Sequence, residues 1–167
     1  MGRKPAIWYV NAARRTLQAA VPALAEPDDE WARGLLAPAE YALFQRLPRE
    51  ERAHGVQVAK CLAGSHREDR DLLVAALLHD VGKLGTPQGA LVRALTHVLP
   101  PSTADAGPRL TGLAGARQAR THHAAYGAEL LRRAGSSARV VDLVARHHDT
   151  AHDVPELMAL KECDERT

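Results

Sequence analysis

Aromatic side chains are scarce in this chain. Its 167 residues include two Trp, three Tyr and one Phe. A core so poor in aromatics has to be built from Leu, Ala and Val, which favours closely packed helices over a sheet of aromatic and β-branched strands. Cysteine is equally sparse. Cys61 and Cys163 are too few and too far apart to suggest a disulfide framework, so both are expected as core fillers in a reducing compartment. Charge of one sign is lacking too. A net charge of +2 gives no electrostatic footprint for nucleic acid or a membrane surface. No apolar run reaches the roughly 18 residues of a membrane span. The basic start Met1-Gly2-Arg3-Lys4-Pro5 is followed by Asn11, Arg14 and Arg15, which interrupt any signal-peptide core. The expected location is cytoplasmic.

What is present is helical spacing punctuated by proline. Pro5 to about Ala20 reads as an amphipathic helix, suited to packing on the body, a partner or a membrane surface. Asp28-Asp29-Glu30 gives an acidic first turn to a short helix through Leu36. Pro38 suits the start of the next, Ala39 to Leu47. Pro48 opens another, running through His54 and Cys61 to near Gly64. Asp69 or Asp71 caps a buried helix, and Thr86-Pro87 starts one that Pro100-Pro101 stops. The stretch from Pro100 to about Gly115 is the best loop candidate. Thr121 is expected to cap a helix to Leu131, Ser136 or Ser137 one to His148, and Pro155 the last one towards Asp164. The expectation is an all-α bundle of eight or nine helices. Residues 1–47 form N-terminal helices packed on a body spanning 48–167.

The most informative string is Leu72-Leu73-Val74-Ala75-Ala76-Leu77-Leu78-His79-Asp80-Val81-Gly82-Lys83. Seven apolar residues run into a histidine and a carboxylate, so a helix buried on nearly every side ends in two metal-grade ligands. An aspartate at a helix C-terminus opposes the dipole, and burying it calls for a cation. A metal ion or Lys83 would supply one. Nine histidines are a surplus for this length. His54, His79-Asp80, His122-His123, His147-His148 and Asp164 lie on helices that can point them inward. His66, His97 and His152 read as ordinary helix-end histidines, and Glu50-Glu51-Arg52 as a solvated first turn. Imidazole mixed with carboxylate suits Fe, Mn, Co, Ni or Zn, and the absence of cysteine there argues against a structural zinc knot.

The order His54, then His79-Asp80 with Gly82-Lys83, then Asp164 resembles the HD superfamily of metal-dependent phosphohydrolases. The strongest parts of the resemblance are residues 75–83 and His123-Ala124-Ala125-Tyr126-Gly127-Ala128-Glu129-Leu130-Leu131. It implies an HD-domain helical bundle with a central metal site. The ligands for a single ion would be His54, His79, Asp80 and Asp164. A second ion would add His123 and His147, with His148 as an alternative or addition, and Asp80 would bridge. The choice within each histidine pair is open, as is the choice of Asp164 over Asp149 and Asp153. Lys83 matches a position that contacts substrate phosphate, which makes Asp80 and Lys83 the expected catalytic pair. Arg109, Arg117 and Arg120 are candidate phosphate contacts, because guanidinium pairs well with phosphate. No Gly-Tyr-Pro follows His147-His148, so cyclic-di-GMP is not the expected substrate, and the pattern is similar to small bacterial dinuclear hydrolases. The implied function is hydrolysis of a phosphoester or phosphoanhydride bond in a nucleotide-like small molecule by metal-activated water. The alternatives are a non-catalytic metal- or nucleotide-binding HD signalling module and a single-strand nuclease. The expected partner is thus a phosphorylated small molecule, not nucleic acid or membrane; oligomeric state is left open.

Overall fold

The computed structural model describes residues 25–66, 69–86, 92, 96, 98–149 and 154–167. The expected helix over residues 5–20 lies outside them, as do most of the helix expected to start at Thr86, His97, His152 and Asp153. Among the described residues the chain forms seven α-helices and one 3-10 turn, without strands: α1 (Asp29–Leu35), α2 (Pro38–Gln45), α3 (Arg49–His66), α4 (Arg70–Leu78), the turn Val81–Lys83, α5 (Gly112–Ala134), α6 (Ala138–Arg146) and α7 (Pro155–Arg166). The expected all-α class is what the chain adopts. None of the described helices is long and apolar enough to cross a membrane.

Local chemistry sets the helix starts. Asp28 accepts from Trp31 N at 3.1 Å, Asp69 from Leu72 N at 3.1 Å and Ser137 Oγ from Val140 N at 3.2 Å. Each satisfies an amide that the helix itself leaves without a partner. Glu40 is buried, yet its carboxylate accepts from Ala37 N at 2.8 Å, one turn back. Pro38 and Pro155 occupy first-turn positions, where a missing amide hydrogen is harmless. Gly135 ends α5 with φ +79, a left-handed conformation that glycine adopts at little cost.

Helix α4 is the axis. Every residue from Leu72 to Leu78 is at most 2% exposed, because α1, α3, α6 and α7 all pack around it. Helix α5 packs against α6 and the 3-10 turn. Ala32, Leu36, Leu43, Phe44 and Leu47, from the first two helices and the residues just after them, belong to the same core as Val58, Leu77, Leu131, Val144 and Leu160.

Three expectations need correction. The cysteines are not independent fillers: Cys61 and Cys163 form a disulfide between α3 and α7. That removes the cysteine argument for a reducing compartment. The long loop ends earlier than expected, since α5 begins at Gly112, about two and a half turns before Thr121. Thr121 is no cap; its hydroxyl turns back to the Arg117 carbonyl at 3.2 Å and accepts from Ser102 N at 3.1 Å. Glu51 is not on a solvated turn but is only 4% exposed. Smaller shifts occur at helix ends, where α3 runs to His66, α2 stops at Gln45 and α7 continues to Arg166.

Candidate metal centre

Three glycines decide how closely the ligand-bearing segments approach. A Cβ on Gly82 would land on the carbonyl oxygen of His123 and lie 2.5 Å from Gly127 N. Only a residue without a side chain lets the turn after Asp80 lie flat on α5. Gly127 meets the same seam, where an added Cβ would press on Val144 at 3.1 Å. On the other side of α4, a Cβ on Gly55 would sit 2.7 Å from the Leu77 carbonyl oxygen. These contacts draw α3, the end of α4, α5 and α6 onto one centre.

Two groups of ligand atoms result. His54, His79 and Asp164 place one ligand atom each within 4.8 Å of one another, and so do His123, His147 and His148. In the first group Asp164 Oδ1 lies 2.8 Å from His54 Nε2 and 3.7 Å from His79 Nε2. In the second, the Nε2 atoms of His123 and His148 are 2.9 Å apart. Asp80 stands between the groups. Its Oδ2 is 3.4 Å from His79 Nε2 and its Oδ1 is 3.3 Å from His123 Nε2. The rings of His79 and His147, one from each group, are 5.3 Å apart.

The imidazoles are oriented from behind. His79 Nδ1 donates to the Ala76 carbonyl at 2.8 Å and His147 Nδ1 to that of Val144 at 2.7 Å. His123 Nδ1 shares the carbonyls of Ala119 and Arg120, both at 3.2 Å. With Nδ1 engaged, Nε2 is the nitrogen turned to the centre. His147 Nε2 is buried and has no hydrogen-bond partner, which a coordinated ion would correct.

Charge is arranged unequally. Burial opposes ionisation of Asp80, but Lys83 and His79 outweigh it and hold the carboxyl well below the usual carboxylate range. Burial opposes ionisation of Asp164 too, and His54 and His79 keep it low. Burial also disfavours a charged His79, yet Asp80 and Asp164 prevail and push it up to about 9. Burial moves His123 down to about 4 and His147 down to about 3, and lowers His54 and His148. One half of the centre therefore gathers positive charge around carboxylates, while the other presents neutral imidazoles. This donor set, with its orphaned Nε2, fits divalent transition-metal ions.

The structure brings together His54, His79, Asp80, His123, His147, His148 and Asp164. It separates the first histidine pair, since His122 points to the Ala104 carbonyl at 2.9 Å and His123 faces the centre. Both members of the second pair reach it. Asp149 instead pairs with Arg146 on the surface. Lys83 donates to Asp80 Oδ2 at 2.5 Å. The three arginines all donate to backbone carbonyls. Arg109 donates to the carbonyls of Gly82 at 2.7 Å and Leu84 at 3.1 Å and stacks on Tyr126. Arg117 donates to Pro100 and Pro101, and Arg120 to Thr96 and Leu99. All three bind chain to chain. Sequence reasoning missed Glu51, which lies 3.6 Å from Lys83 Nζ. Its spacing of three from His54 was the available signal, because residues i and i+3 share a helix face.

A family model described as HD domain matches residues 53–166, a span that begins one residue before His54 and ends two after Asp164. No curated protein and no solved structure matches the chain.

Proposed function

The chain belongs to the HD domain family, and from that premise we propose that it is a metal-dependent phosphohydrolase acting on a phosphoester or phosphoanhydride of a nucleotide-like small molecule. The observation that carries this reading is the position of Asp80, with one carboxylate oxygen towards His79 and the other towards His123. His54, His79 and Asp164 would hold one ion, His123, His147 and His148 a second, and Asp80 would serve both. Such ions, when bound, acidify a water to give a nucleophile near neutral pH and draw charge from phosphoryl oxygens. Asp80 would also accept and orient a proton of that water. The Lys83 ammonium, partly open to solvent, would balance charge on non-attacked phosphate oxygens. The three backbone-anchored histidines keep the centre in register without rearrangement.

The test is phosphate release from p-nitrophenyl phosphate, bis(p-nitrophenyl) phosphate and a panel of nucleotides and dinucleoside polyphosphates. It compares manganese-loaded wild type with D80A. Turnover that is metal-dependent and lost in D80A is expected. Stoichiometric metal binding with no turnover of any panel member would instead identify a binding module.

A further inference from the structure

Glu51 lies on α3 one turn before His54 and is only 4% exposed. The element facing it is the 3-10 turn, whose Lys83 ammonium is 3.6 Å from Glu51 Oε2 and 2.5 Å from Asp80 Oδ2. Two carboxylates on separate elements thus share one cation. The Asp80 oxygen involved is the one that also faces His79 Nε2 at 3.4 Å. An ammonium seated on that oxygen competes with an ion for the same lone pairs. A buried carboxylate on the opposite side gives it a second seat.

We propose that Glu51 is a positioning residue that offers the Lys83 ammonium, now seated on Asp80, an alternative seat when Asp80 engages an ion. The proposal rests on the metal-centre reading above and adds a named residue to it. Without the Glu51 charge, Lys83 stays on Asp80 against the incoming ion and metal binding weakens. Without Lys83, Glu51 has no such effect.

Mn(II) titration of the full chain by calorimetry separates these cases. E51Q is expected to bind about tenfold more weakly than wild type, the scale of lost outer-shell support. K83M is expected to bind at least as tightly as wild type, and E51Q/K83M to match K83M. If Gln is not tolerated at this buried position, E51D carries the same comparison: its withdrawn carboxylate gives a partial weakening that K83M removes. Equal affinities of E51Q and wild type would overturn the proposal. So would a weakening that persists in the K83M background, because Glu51 would then act through the fold or as a ligand itself. Wild type that binds no Mn(II) would sink the metal-centre reading together with this one, whereas bound Mn(II) without hydrolysis would leave this proposal standing.

Discussion

The two halves of the centre solve the same problem with opposite electrostatics. The α3–α4–α7 half joins two histidines to the carboxylate of Asp164, and its charge is balanced by a proton on His79. The α5–α6 half is all imidazole, kept neutral by burial. The first half is also tied covalently, since Cys61 and Cys163 lie on the helices carrying His54 and Asp164. The second is held by glycine contact, core packing and backbone hydrogen bonds. The comparison teaches that a carboxylate set between two groups of ligand atoms need not sit in a symmetric environment. The first half offers a carboxylate oxygen among its ligand atoms, whereas the second offers imidazole nitrogen only.

The most severe way to break the comparison is D80A, which removes the group both halves share. Metal content after gel filtration is expected to fall towards zero, with hydrolysis at background. H54A and H148A sharpen it instead. Each is expected to lose one ion per chain and retain the other, read by elemental analysis, and equal losses from both would show the halves to be one site. G82A attacks the seam. Its methyl would meet the His123 carbonyl, so a loss on the order of 3–5 kcal/mol is expected in denaturant unfolding, with metal content falling as the turn lifts from α5. Reducing the disulfide is expected to cost about 2–4 kcal/mol. Its effect on metal content should fall on the half containing Asp164. The mildest is Q118A. Gln118 is buried and bridges Leu110 N with the carbonyls of Asp105 and Pro108, outside both halves. A loss of about 1–3 kcal/mol with unchanged metal content is expected.

Much of the centre was legible because its signals are local. An unbroken apolar heptad ending in His79-Asp80 is a buried helix with ligands at its end, whatever surrounds it. Helix caps at Asp28, Asp69 and Ser137 are local as well. What could not be read depends on distant chain. Whether His122 or His123 turns inward follows from the loop carbonyl of Ala104 that engages His122. The pairing of Cys61 with Cys163 spans 102 residues, and no spacing rule reaches that far. Gly112 and Gly115 looked like loop residues, yet they open α5. Gly112 adopts φ +60, and Gly115 has no Cβ to strike the Leu110 carbonyl. The charge of the arginines is visible in the sequence while their carbonyl partners are not. Glu51 reads as a solvated first-turn residue, but its helix face was decided by tertiary packing.

The bond between Cys61 and Cys163 closes a covalent ring around almost the whole family domain, with α4, α5, α6 and the segment between residues 100 and 111 inside it. A single cut in that exposed segment would therefore open the ring without releasing a piece. The fragment carrying His54, His79 and Asp80 would stay attached to the one carrying His123, His147, His148 and Asp164. Limited proteolysis there should give one band on a non-reducing gel and two after reduction. The nicked protein, still folded, would be a centre assembled from two chains.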